Sequence, residues 1–188
     1  MKSIILTFFF LLTSITYSQI DCEYNTNITD SIGTYKATKD YIVSEKIFGG
    51  HSDFVFFSLV KTDDLPSLNV QFITKSMDFI KANCFDKNSK IYFQLNNGKI
   101  ITMLHINSES CGTMVKDDKG FNNRILTGYF LFIKDSFQDL KSSPITFMRI
   151  KYATETVDYV FKSDLLSEMD SRTYNPDTYF INYLKCIE

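Results

Sequence analysis

Apolar positions along this chain recur mostly with a period of two, which predicts strands over most of its length. Between Gly33 and Phe48, Tyr35, Ala37, Tyr41, Val43 and Ile47 alternate loosely with polar residues, predicting a pair of strands or one long bent strand. Gly49-Gly50-His51-Ser52 then turns the chain. Phe54 to Val60 is nearly all apolar, as in a strand buried on both faces, and Asp63-Asp64-Leu65-Pro66 marks the next turn. From Leu68 to Thr74, Leu68, Val70 and Phe72 alternate with Asn69, Gln71 and Ile73. Ser76 to Phe85 carries Met77, Ile80 and Cys84 at helical spacing and reads as a short helix or loop.

The clearest local signal is the stretch from Ile91 to His105, two β-type runs around Asn97-Gly98, the favoured dipeptide of a two-residue hairpin loop. Such a loop sets Leu95 opposite Ile100, Phe93 opposite Thr102 and Ile91 opposite Leu104 on one face. Gln94 then faces Ile101 and Tyr92 faces Met103 on the other, with Lys90 opposite His105. Both faces would be largely apolar, predicting a hairpin inside a sheet covered on two sides.

A polar loop is predicted from Asn107 to Asn123, with turn chemistry at Lys116-Asp117-Asp118-Lys119-Gly120, followed by a strand from Arg124 to Ile133. Asp135 stands where it would cap a helix over Ser136 to Lys141, with Gln138 completing a capping box and Ser142-Ser143-Pro144 ending it. Ile145 to Ala153 and Thr156 to Lys162 form a predicted hairpin. Two helices close the chain: Ser163 to Met169, capped by its serine, and Asp177 to Ile187, capped by Asn175 with Pro176 at the first helical position. In the second, Phe180, Tyr183, Leu184 and Ile187 make a core-facing stripe. Hairpins first and helices gathered toward the C-terminal end predict an α+β fold: a mainly antiparallel curved sheet or partly open barrel with short helices, the C-terminal helix packed on the sheet. A β-sandwich with peripheral helices is the alternative.

Residues 1–18 do not fit that pattern. Met1-Lys2-Ser3 is a short positive start, and Ile4 to Ile15 is almost wholly apolar yet shorter than the about 20 residues a membrane span needs. Thr16-Tyr17-Ser18 precedes Gln19 as a cleavage site would, so residues 1–18 read as a signal peptide and 19–188 as a single β-rich domain, secreted or periplasmic. Cys22 raises a lipoprotein reading, but Gln19, Ile20 and Asp21 before it are not small aliphatic residues. No transmembrane segment follows.

Lys and Arg number 20 against 22 Asp and Glu, giving a net charge of −2, so no positive field attracts phosphates and nucleic acid is not an expected partner. The four cysteines, Cys22, Cys84, Cys111 and Cys186, form an even set in an exported chain, the usage of two disulfides. Three pairings exist. Cys84 with Cys111 and Cys22 with Cys186 is favoured, since the second would tie the domain's termini together. Loop-closure arithmetic assigns about 3.6 kcal/mol to the shorter loop and about 5 to the longer. A cysteine nucleophile beside His105, or a metal site, is disfavoured by the absence of C-x-x-C spacing.

Candidate chemistry is sparse. His51 and His105 are the two histidines, too few for a histidine metal centre, and no metal or cofactor is expected. His51-Ser52-Asp53 holds the residue types of a hydrolase triad, but no G-x-S-x-G elbow accompanies them. Glu45, Asp53, Glu109, Glu155, Asp158 and Glu168 are the carboxylates from which a glycosidase pair would be drawn. Lys90 opposite His105 would keep that imidazole neutral and serviceable as a base. Asp117-Asp118 lacks the pattern of a calcium loop.

Taken with the low Gly and Pro content, the signal ending at Ser18 and the closing Tyr179-Phe180-Ile181-Asn182-Tyr183-Leu184-Lys185-Cys186-Ile187, the chain resembles exported hypothetical proteins of Bacteroidota-type bacteria. The resemblance implies compartment and no activity. No catalytic residue is assigned. The expected function is an exported, non-enzymatic binding or envelope-interaction protein, meeting a protein, glycan or small apolar ligand through an uncharged aromatic patch or cavity. The alternative is a small secreted hydrolase using carboxylates or His105.

Overall fold

The computed structural model describes residues 21–106, 108–133 and 135–188, so the predicted signal peptide lies outside the described residues. Among the described residues, eleven strands form one antiparallel sheet. In chain order they are β1 (Tyr24–Thr29), β2 (Thr34–Thr38), β3 (Tyr41–Phe48), β4 (His51–Thr62), β5 (Leu65–Ser76) and β6 (Lys90–Leu95). There follow β7 (Ile100–His105), β8 (Thr113–Lys116), β9 (Asn122–Phe132), β10 (Ile145–Lys151) and β11 (Thr156–Val160). Spatially they run β1-β2-β4-β5-β9-β7-β6-β10-β11, with β3 sharing an edge of β4 with β2 and β8 pairing with β9. The sheet curls without closing, an α+β fold as the chain pattern predicts.

The frame is the β4–β5 hairpin, whose eleven residue pairs from Ser52↔Lys75 to Thr62↔Leu65 run without a bulge. On β4, Val55 to Val60 are all buried because both faces are covered. Val55, Phe57 and Leu59 face the concave core, while Phe56, with Ile42 and Leu165, packs a smaller cluster on the convex side. The concave core is aromatic. Phe180 of the helix α2 (Tyr179–Tyr183) sits 5.3 Å from Phe93 and 6.1 Å from Phe57, ring centre to ring centre. Phe180, Leu184 and Ile187 are buried as the stripe predicts, and Tyr179 joins them.

Two disulfides tie the sheet to its loops. Cys22–Cys186 joins the segment before β1 to the C-terminal turn, and Cys84–Cys111 joins the β5–β6 loop to the segment before β8. That loop is not helical: Met77 and Phe79 point into solvent, and it lies on the sheet through Phe85. The Phe85 ring occupies a space left by Gly128, on the concave face of β9, where an added Cβ would meet ring atoms at 2.6 and 2.8 Å.

Several expectations are corrected. The hairpin β6–β7 pairs Phe93 with Ile101, Ile91 with Met103 and Lys90 with Leu104, one residue off the predicted register. Its loop is Asn96-Asn97-Gly98: Gly98 adopts φ 84° and donates its N–H to the Leu95 carbonyl at 2.9 Å, while Leu95 N–H bonds the Lys99 carbonyl. The longer loop puts Ile91, Phe93, Leu95, Ile101 and Met103 together on the core face, and leaves Ile100 65% and Leu104 41% exposed on the other. The hairpin is therefore covered on one side only.

The predicted polar loop 107–123 contains β8, closed by a turn in which Asp117 accepts the Lys119 and Phe121 amides and Lys75 Nζ at 2.7 Å. The Lys75 ammonium first, aided by the Phe121 amide, holds the Asp117 carboxyl at about 2. Helix α1 (Ser136–Ser142) forms without the predicted box, because Asp135 is left-handed (φ 69°) and its side chain caps nothing. It is held instead by buried Leu140 and by Phe137, whose ring lies 4.7 Å from Phe132.

Ser163–Met169 is not a helix. Leu165–Leu166 (β12) pairs with Thr173–Tyr174 (β13), alternation burying Leu165 and exposing Leu166, and the Glu45 carboxylate accepts the Ser167 hydroxyl and Glu168 amide. The closing helix is split, 3-10 over Pro176–Thr178 and Leu184–Ile187 around α2; the Asn175 side chain bonds the Ser163 carbonyl instead of capping.

If Phe85 docks in the Gly128 space, Gly128→Ala overpacks it and should cost about 1–3 kcal/mol. Urea unfolding measures this, and an unchanged midpoint would show that the ring does not fill that space.

Candidate functional site

Strand register assembles a row of polar side chains from four strands. Lys46 on β3 stands opposite Asp53 on β4, Asp53 opposite Thr74 on β5, and Thr74 opposite Arg124 on β9. All four point to the concave face, since cross-strand partners share a face. One step deeper, two residues along each strand, the row is Ser44, Val55, Phe72 and Leu126. The change from charged to apolar within two residues marks the mouth of the concavity.

Opposite this wall stand Tyr152, Val157 and Tyr159 of the β10–β11 hairpin, and at one side Ile80, Lys81 and Asn83 of the β5–β6 loop. Together they enclose a cavity of about 230 Å³. Its floor is buried: Val55, Phe72, Ile80, Leu126 and Tyr152 are closed off from solvent, with the Phe72 and Tyr152 rings 5.9 Å apart. Phe54, Phe72, Tyr152 and Tyr159 line the cavity, and its rim is charged, not uncharged.

The rim groups differ in what holds them. Asp53 accepts a hydrogen bond from the Thr74 hydroxyl at 2.7 Å and lies 2.9 Å from His51 Nε2. Lys81 Nζ bonds Glu155 at 2.8 Å, which lowers that carboxyl below its ordinary range. Arg124 donates from Nε to the Ile80 carbonyl at 3.3 Å and from Nη1 to the Cys111 carbonyl at 3.2 Å. The Cys84–Cys111 bridge thus fixes both the loop that walls the cavity and the carbonyl that aims Arg124. Burial pushes the Tyr159 phenol up to about 12 and places Tyr152 well above the usual tyrosine range, so both are neutral hydroxyls.

Sequence-marked residues meet different fates. His51 and Asp53 come together because residues i and i+2 of a strand share a face; Ser52 is directed to the other face by the same alternation. His105 lies elsewhere, buried between Phe85 and Phe130 with Nδ1 3.1 Å from the Asp86 carbonyl. Leu104, not His105, faces Lys90. The imidazole pKa is lowered all the same, by burial rather than by a lysine.

Of the carboxylates, Glu45 holds the β12 turn, Asp158 is clamped by Arg149 through two bonds of 2.8 Å on the convex face, and Glu109 and Glu168 are exposed. No group of three metal-ligating side chains occurs among the described residues. Lys46, Thr74 and Arg124 were not singled out by the sequence, each reading alone as an ordinary polar strand residue. Comparison with protein-family models, with curated proteins and with solved structures finds no match.

A native His105 that protonates below the ordinary 6.5 means the unfolded chain takes up its proton first. Stability should therefore fall as pH drops below about 6.5, and His105→Gln should remove that part of the fall. Urea midpoints between pH 7.5 and 5 test it, and parallel slopes in the two proteins would show an unperturbed imidazole.

Proposed function

We propose that this chain is an exported, non-enzymatic binding protein, secreted or periplasmic, that holds a small ligand in the cavity behind the Lys46–Asp53–Thr74–Arg124 row. Export is supported by the signal-like residues 1–18 and by two disulfides, the usage of an oxidising compartment. No described helix is long and apolar enough to cross a membrane.

The observation that carries the binding reading is the cavity's construction. Buried apolar and aromatic side chains line it, they do not fill it, and a few polar groups converge at its mouth, the composition of a ligand site. Its 230 Å³ is smaller than a drug-sized pocket, which favours a single-ring or short-chain ligand over a glycan or a protein segment. The hydrolase reading finds less support: His51 is engaged with Asp53, Ser52 faces away, and His105 is enclosed by aromatic rings.

Benzyl alcohol is a suitable neutral probe. In amide-resolved NMR titration, shifts should concentrate on β3, β5, β9 and the β10–β11 hairpin. Ser44→Phe, placing a ring in the cavity from a half-buried position, should abolish them with the urea midpoint unchanged. Shifts scattered over the surface, or persisting in Ser44→Phe, would overturn the assignment.

A further inference from the structure

We infer that the ligand of this cavity is a small organic anion, a carboxylate on an apolar body, whose charged head is held between Lys46 and Arg124; the inference rests on the binding reading above. It follows from which rim charges already have partners. Five ionised side chains stand at or beside the mouth. Asp53 has its Thr74 hydrogen bond and His51 contact, and Glu155 is paired with Lys81. Lys46 and Arg124 have no carboxylate within ion-pair distance among the described residues, although Asp53 is directly cross-strand from Lys46.

What faces them instead is not neutralising. The Lys46 ammonium stands 5.9 Å from the centre of the Tyr159 ring. The Arg124 guanidinium contacts the Ile80 and Cys111 carbonyls and the Met114 thioether, leaving two of its five N–H donors unspent. Carbonyl contacts orient an arginine without cancelling its charge. With Glu155 offset by Lys81, and Asp53 keeping its charge because the Thr74 hydroxyl orients it without cancelling it, Lys46 and Arg124 leave the rim with a small cationic excess on a chain whose net charge is −2.

Geometry sets the rest of the ligand. Lys46 and Arg124 stand three strand spacings apart, about 14 Å between backbones; the Arg124 head lies against the Ile80 and Cys111 carbonyls and the Lys46 ammonium over the Tyr159 ring, so the two cations flank the mouth from opposite sides. Below it the wall turns apolar at Val55, Phe72 and Leu126, so a ligand charged at one end and apolar at the other matches both levels. The neutral Tyr159 hydroxyl is a further donor at the same mouth.

Three probes of one shape separate charge from cavity: benzoate, benzyl alcohol and benzylammonium, titrated by NMR at low and at 0.3 M salt. Benzoate is expected to bind about tenfold tighter than benzyl alcohol, the worth of a charge-assisted contact, and benzylammonium weakest, the benzoate advantage shrinking with salt. Lys46→Gln, at an exposed position, should erase most of that advantage, weakening benzoate far more than benzyl alcohol. Arg124→Lys, which keeps the charge but not the fork, should lose part of it, with the urea midpoint as a check on folding. Equal affinity for benzoate and benzyl alcohol, or no effect of Lys46→Gln, would overturn the anion assignment while the cavity reading stands. Failure of all three probes to bind would sink both.

Discussion

Strand register in the β4–β5 hairpin is the constraint on which the remaining structure depends. Because side chains alternate strictly, eleven uninterrupted pairs carry one choice of inward and outward faces along the hairpin and hand it to β3 and β9 at its edges. A slip of one residue would turn Phe57 and Leu59 outward and bring Ser58 into the core. The same alternation that fills the core with rings lines up Lys46, Asp53, Thr74 and Arg124 at its mouth. Core and site are two levels of one pattern, and neither moves without the other.

The concave face is closed by elements of little regular structure. Phe85 from the β5–β6 loop, Tyr152 and Tyr159 from the β10–β11 hairpin and Phe180 from the last helix all supply rings to the same face. This explains how short helices suffice: each contributes one or two anchors, and the sheet supplies the surface. The absence of a Cβ at Gly128 is what admits Phe85, and the Cys84–Cys111 bridge beside it keeps the loop from lifting.

The amino-acid sequence made the strands legible where alternation was clean, as in 68–74 and 145–160, or where an apolar run was nearly unbroken, as in 54–60, and made the last helix legible through its stripe. It misled where a local rule competed with alternation. Asn97-Gly98 favours a two-residue loop, yet that loop would pair Phe93 with Thr102 and put Ile101 and Met103 on the face opposite Ile91, Phe93 and Leu95. Burial of Ile91, Phe93 and Leu95 with Ile101 and Met103 outweighed it, at the cost of one more loop residue. Asp135 failed as a cap because its backbone is left-handed, which no residue pattern announces. The cavity rim was illegible for a different reason: its residues come from four strands, and only the pairing of those strands makes them neighbours.

The edges of the curled sheet meet across the cavity without joining. Ser44 and Lys46 on β3 approach Val157 and Tyr159 on β11 through side chains, and no ladder of backbone hydrogen bonds links the two strands. A closed barrel would have to unzip paired backbone to admit anything at this point. Here the seam is bridged by side chains, the Lys46 ammonium standing over the Tyr159 ring, with no backbone ladder across it. The gap that leaves the barrel incomplete is thus closed by side chains alone, while every strand of the sheet keeps its backbone partner.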